Sequence, residues 1–141
     1  MAILKHIKPF SFALVLLFSL VISSCRQGPG PGGKAQIKGK IYTHQWNATF
    51  ATRLPLQDHY EPDHDVYIVY GDDITYGDKV STHYDGTFVF NYLLPGTYTV
   101  YTYSKDKTGN SPTGDIVIET TVEISDRKEV IDLGDIIIED N

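Results

Sequence analysis

The sequence predicts an all-β domain, a Greek-key sandwich of seven to eight strands, and three observations carry that prediction. Beyond residue 34, apolar residues recur at every second position rather than along a helical stripe. Turn-forming residues divide these runs at short intervals. No window shows a sustained amphipathic helical face with caps. Strands that each carry one apolar face are satisfied by packing two sheets face to face, and residues 35–141 are enough to bury a core without disulfides.

Taken in order, Ile37 to Tyr42, Val66 to Tyr70 and Lys79 to His83 read as the first strands. Thr87 to Tyr92 places Phe88, Phe90 and Tyr92 on one face. Thr97 to Tyr103 sets Tyr98, Val100 and Thr102 against Thr97, Thr99, Tyr101 and Tyr103. In Asp115 to Ile124, Ile116, Ile118, Thr120, Val122 and Ile124 share a face, opposite Asp115, Val117, Glu119, Thr121 and Glu123. Val130 to Leu133 and Ile136 to Ile138 close the chain, with Gly134 between them as a bulge that changes the inward-pointing parity. Asp85-Gly86 predicts a tight hairpin, Leu94-Pro95-Gly96 a turn with positive φ at its glycine, and Ser104 to Gly114 a long polar loop.

The N-terminus has a different composition. Lys5 and Lys8 precede a nearly unbroken apolar run from Phe10 to Ile22, and Ser23, Ser24 and Cys25 follow. A basic head, an apolar middle and a small-residue exit form a secretory signal, and the run falls short of the ~20 apolar residues needed to cross a hydrocarbon core. Ile22-Ser23-Ser24-Cys25 resembles the lipobox of bacterial lipoproteins, in which the cysteine is acylated and becomes the mature N-terminus. Cys25 is the only cysteine of the chain, so it can form no intrachain disulfide. That resemblance implies residues 1–24 as signal peptide, lipid attachment at Cys25, and a cell-envelope location at the outer membrane of a Gram-negative bacterium. Residues 25–34, rich in Gly and Pro, read as a tether, and residues 35–141 as the sandwich domain.

Charge narrows the partners. The chain has 12 Lys plus Arg against 18 Asp plus Glu, a net charge of −6 that becomes −8 once Lys5 and Lys8 leave with the signal. Such a balance excludes nucleic-acid binding by counterion release. It also opposes electrostatic adhesion to anionic lipid, so the bilayer is expected to hold the protein through acylated Cys25 alone.

Thr82-His83-Tyr84-Asp85-Gly86-Thr87-Phe88-Val89-Phe90, followed by Leu94-Pro95-Gly96-Thr97-Tyr98-Thr99-Val100, resembles the signature of carboxypeptidase regulatory-like domains. Ile37-Lys38-Gly39-Lys40-Ile41 is similar to that family's first strand. The resemblance spans Ile37 to Tyr103 and implies a transthyretin-like, Ig-like sandwich. The segment from Thr43 to Asp65 departs from it by being longer and more polar. The motif carries no catalytic residue. Related hydrolases of the hydroxyisourate type end in a Tyr-Arg-Gly-Ser-like motif, whereas this chain ends Ile137-Ile138-Glu139-Asp140-Asn141.

No Gly-x-Ser-x-Gly, His-Glu-x-x-His or phosphate-cradling glycine motif is present. The densest polar cluster runs from Asp58 to Asp65, with Asp72, Asp73 and Asp78 beyond it. No metal site is predicted there, because the spacing matches no EF-hand loop. The nearest candidates for one are His59, Glu61, Asp63, His64 and Asp65. Tyr101 and Tyr103, opposite the core-facing Tyr98 and Val100, form the candidate ligand surface, because amphipathic rings on an open sheet suit a sugar or protein. The competing explanation is that tyrosine favours strands for its own sake. Asn47-Ala48-Thr49 has the form of a glycosylation sequon and is read as chance.

These features lead us to expect a lipid-anchored, non-catalytic binding or structural module for an envelope protein or glycan, without cofactor. A fimbria-type subunit assembling by strand exchange and a metal-dependent enzyme are the alternatives.

Overall fold

The computed structural model describes residues 28–141, so the expected signal segment and Cys25 lie outside the described residues. Eight strands follow one another: β1 (Pro31–Gln45), β2 (His59–Tyr60), β3 (Asp65–Tyr70), β4 (Asp78–Ser81), β5 (Thr87–Leu93), β6 (Gly96–Lys105), β7 (Asp115–Ile124) and β8 (Val130–Asp140). A single 3-10 turn, Pro55–Gln57, interrupts them. They form two four-stranded sheets. In the first, β1 is flanked on one edge by β8, running parallel, and on the other by β5 and β2, both antiparallel. The second is antiparallel throughout, in the order β4-β3-β6-β7. The chain changes sheet between β2 and β3, between β4 and β5, between β5 and β6, and between β7 and β8, as a Greek-key sandwich requires.

Alternation builds the core. Ala35, Ile37, Ile41, Phe88, Phe90, Leu93, Ile136 and Ile138 point inward from the first sheet, and Val66, Ile68, Tyr98, Val100 and Ile124 meet them from the second. The expected parity change in the last strand is present. Three residues of β1, Lys38 to Lys40, lie opposite four of β8, Asp132 to Asp135, and Gly134 adopts φ 66°. Ile131 and Leu133 face the core before this bulge; Ile136 and Ile138 face it afterwards. The two apolar runs near the C-terminus are therefore one bulged strand.

Three expectations need correction. The Asp85-Gly86 turn is tight, with Gly86 N–H donating to His83 C=O at 2.9 Å and His83 N–H to Thr87 C=O at 2.8 Å. It does not close a ladder-paired hairpin, because β4 and β5 diverge into different sheets to cover opposite sides of the core. The strand expected to reach His83 ends at Ser81, and His83 belongs to that turn. Nor does the Gly/Pro-rich stretch serve as a tether as far as residue 34. Pro31 to Gly33 begin β1, and Gly30 is buried.

Tyr98 accounts for the last of these. Its hydroxyl accepts from Gly30 N–H at 2.8 Å and donates to Leu94 C=O at 2.6 Å, while Leu94 N–H donates to Gly30 C=O at 2.9 Å. Pro29 packs against Gly96, whose φ is 149° and where a Cβ would come within 2.8 Å of the proline ring. A buried phenol thus clamps the N-terminal segment to the β5–β6 turn. Replacing it by Tyr98→Phe leaves the buried Gly30 N–H and the partly buried Leu94 C=O without this partner. We expect a loss of about 1–3 kcal/mol in unfolding free energy, read from urea denaturation; an unchanged midpoint would show that the clamp does not contribute.

Candidate functional site

The alternation that sends Val66, Ile68, Tyr98 and Val100 into the core sends Tyr67, Val69, Thr99, Tyr101 and Tyr103 to the outer face of the second sheet. Register then aligns them across the strands. Lys79, Tyr67, Tyr101 and Glu119 form one row, Val69, Thr99 and Thr121 a second, and Tyr103 stands beside Val117. Tyr67 and Tyr101 stack nearly parallel, with centroids 4.9 Å apart and an interplanar angle of 11°. Tyr103 meets Tyr67 and Tyr101 edge to face at 5.9 Å, and Tyr76, from the loop after β3, meets Tyr67 edge to face at 5.1 Å.

The cluster borders a groove of about 440 Å³. Val69, Thr99, Tyr101 and Tyr103 line it from β3 and β6, Ile74, Thr75 and Tyr76 from the β3–β4 loop, and Val117 and Glu119 from β7. Tyr67 supports Tyr101 and is not itself a lining residue. Tyr76, Tyr103 and Val117 are about half exposed and Ile74 fully exposed. Both expected surface tyrosines therefore lie on this groove. Tyr76 and the supporting Tyr67 were missed, although the alternation Val66-Tyr67-Ile68 already placed Tyr67 outward. Tyr76 had no such signal, because a loop residue reaches the sheet only through the path of its loop.

Electrostatics hold the aromatic cluster in place. Asp65 accepts from Lys79 Nζ at 2.8 Å and from Ser81 Oγ at 3.0 Å, and the Lys79 hydrogen bond is the leading reason its carboxyl sits below the ordinary range. The same contact raises Lys79. Burial, ahead of the neighbouring Asp65 charge, pushes the Tyr67 phenol up, and burial also raises Tyr101. Both rings stay neutral at ordinary pH, with hydroxyls able to donate as well as accept.

Of the residues weighed as metal ligands, His59 and Glu61 meet but the set does not converge. His59 Nε2 lies 3.0 Å from Glu61 Oε2. Asp63 is exposed in a left-handed turn at φ 54°. His64 turns toward the end of the core, where its Nε2 lies 2.6 Å from Thr102 Oγ1, while Asp65, one position on, faces outward to Lys79 as strand alternation demands. Among the described residues no group of three or more His, Cys, Asp and Glu side chains is arranged to hold a metal ion.

A second cleft, of about 360 Å³, opens beside His64 and includes Glu61, Tyr103, Lys105, Asp115 and Glu139. Its lining is mostly charged, with Glu61, Asp115, Glu139 and Asp140 beside Lys105 and His64; Lys105 pairs with Asp115 at 2.9 Å, and Lys107, from outside the lining, pairs with Glu139 at 3.0 Å. Thr102 Oγ1 donates to Asp65 C=O at 2.8 Å and so accepts from the imidazole Nε2–H. Burial is the largest influence on His64 and holds its pKa below the ordinary value, against the opposing pull of Glu61 and Asp65. The folded state therefore binds fewer protons at His64 than the unfolded chain. Its contribution to stability is complete above the unfolded pKa of about 6.5 and is lost as pH falls below it. We expect the melting temperature to fall between about pH 7 and pH 5, and His64→Gln to flatten that decline. Parallel profiles for the two proteins would overturn the assignment.

No family model matches the chain, and no curated protein matches it. Among solved structures, a Pseudomonas aeruginosa protein described as a candidate carbohydrate binding protein aligns at 12% identity with a TM-score of 0.45, over 79% of this chain and 92% of that one. An (S)-allantoin synthase aligns at 9% identity with a TM-score of 0.43, over 77% of this chain and 42% of that one, so the alignment spans less than half of the enzyme.

Proposed function

We propose that the protein is a non-catalytic, lipid-anchored module of the cell envelope that binds a saccharide in the tyrosine groove. The observation that carries this reading is the composition of the groove: aromatic and aliphatic walls from Tyr76, Tyr101, Tyr103, Ile74 and Val117, with hydrogen-bonding groups supplied by Thr75, Thr99, Glu119 and the phenols. A pyranose presents the same combination, an apolar face of C–H bonds ringed by hydroxyls, and such a ligand suits a mostly apolar cleft with a few polar groups. The His64 cleft is the weaker candidate because its lining is mostly charged, with Tyr103 its single tyrosine.

Anchoring rests on the basic head, the apolar run and the Ile22-Ser23-Ser24-Cys25 exit. Several acyl chains on Cys25 would hold the protein firmly where one would not, since each buried methylene contributes ~0.8 kcal/mol. Clamping of Gly30 by Tyr98 leaves few residues between the lipid and the domain, so the module would stand close to the bilayer.

Two measurements test this reading. In gels containing neutral or uronic polysaccharides, the protein is expected to be retarded by at least one polymer. Tyr101→Ala and Tyr103→Ala are each expected to weaken that retention by about tenfold, with His64→Gln unchanged. Absence of retardation on every polymer, or equal retardation of all variants, would remove the saccharide assignment. Separately, Cys25→Ser is expected to move the protein from the membrane to the soluble fraction, and a membrane-bound variant would contradict acylation at that residue.

A further inference from the structure

The edges of the two sheets are unequally guarded. β4 is four residues long and carries Lys79, and β2 has two residues. β8 is broken by the bulge at Gly134 and carries Asp132 and Asp135. β5 pairs irregularly with β1 and ends near Tyr92, a left-handed residue at φ 61°. Each of these is a recognised way to keep an edge from recruiting another strand. Among the described edge strands, β7 alone is both long and unbroken by a bulge or a left-handed residue, and its charges, Asp115, Glu119 and Glu123, are all carboxylates on its outer face. It pairs with β6 through ten consecutive residues without a register shift, and it contains no Gly, Pro, Lys or Arg. Its inward face is also incompletely covered: Ile116 is 39% exposed, Thr120 is exposed, and Ile118 and Val122 are only partly buried.

We propose that β7 pairs antiparallel with β7 of a second copy of this chain, about a two-fold axis at Thr120, joining two four-stranded sheets into one. Charge and side-chain parity select this register. A two-fold perpendicular to the sheet keeps inward residues opposite inward residues, so the axis must fall on a residue. At Glu119 it would set two carboxylates directly against each other, and at Thr121 it would oppose Glu119 to Glu123 on both sides; like charges in such positions are unfavourable. At Ile118 it would put Val122 opposite Gly114, and at Val122 it would put Ile118 opposite Asp126. At Thr120, Ile116 meets Ile124 and Ile118 meets Val122 on the inward face, while Glu119 meets Thr121 and Val117 meets Glu123 on the outer face. All four apolar inward residues are matched, and no carboxylate faces another.

Because the two copies use the same strand, the contact is isologous and closes at two, unlike a fimbrial ladder. It also sets the two tyrosine grooves on one continuous outer face, with Val117 and Glu119 of each copy beside Glu123 and Thr121 of the other. Two linked grooves would hold a repeating polymer with greater avidity than one. The dimer itself stands on β7 and does not require the saccharide reading.

Sedimentation equilibrium of the full-length protein in density-matched detergent tests the proposal. The expected result is a monomer–dimer equilibrium toward twice the mass of the processed, acylated monomer. Thr121→Glu places a new carboxylate opposite Glu119 at two symmetric positions and is expected to raise the dissociation constant about tenfold or more. The double variant Glu119→Lys with Thr121→Glu restores opposite charges at both positions and is expected to restore the dimer. Circular dichroism of each variant establishes that it is folded. A monomer at every concentration, a ladder of larger species, a dimer indifferent to folded Thr121→Glu, or no rescue by the double variant would each overturn the register proposed.

Discussion

The pairing of β1 along both of its edges is the constraint on which the rest of the molecule depends. No other strand of the first sheet bonds to more than β1 itself, so β2, β5 and β8 are assembled by this one strand. Parallel pairing with β8 brings the last strand of the chain against the first, a contact of high sequence separation whose loop closure is entropically costly. The inward residues of β1, Ala35, Ile37 and Ile41, are completely buried, and they define the plane against which the second sheet packs. The Tyr98 clamp belongs to the same arrangement, because it fixes the segment immediately before β1 to the turn between β5 and β6.

The second sheet shows how one periodicity serves two purposes. Its inward residues complete the core, and those alternating with them produce a surface unusually rich in tyrosine. Stacking between Tyr67 and Tyr101 occupies one face of each ring, which rules out a flat open platform and leaves Tyr101, Tyr103 and Tyr76 around a groove instead. The Asp65–Lys79 pair adjoins the cluster without adding net charge to it, and Asp65 accepts from the Tyr67 hydroxyl at 3.5 Å. Being exposed, that pair contributes little to stability, and its effect is mainly on the placement of Tyr67.

Much of the architecture was legible because strand patterning is local. Phe88, Phe90, Tyr98 and Val100 declared their inward face by spacing alone, and Gly134 announced a bulge by separating two apolar runs of opposite parity. What was not legible involved partners distant in sequence. Asp85-Gly86 looks the same whether the flanking strands pair or part, and the decision lay with β1 and β3, which claimed β5 and β4 for different sheets. Pro29 to Gly33 have a composition that cannot form a core, yet they are fixed because Tyr98 and Leu93 offer them backbone partners. The acidic run from Asp58 to Asp65 resembled a ligand set only while its side-chain directions were unknown.

By itself, then, the amino-acid order determined an all-β chain, the inward face of most strands, the outward placement of Tyr101 and Tyr103, and the turns that separate them. These follow from alternation and backbone preference, which act over a few residues. Only the tertiary structure decided which strands became neighbours, that Tyr67 and Tyr76 join the surface pair, that His64 and Asp65 point apart, and that β7 lies at the edge of its sheet as a long, regular strand. Those outcomes depend on register between strands far apart in the chain, and register is set by the joint packing of both sheets rather than by any one segment.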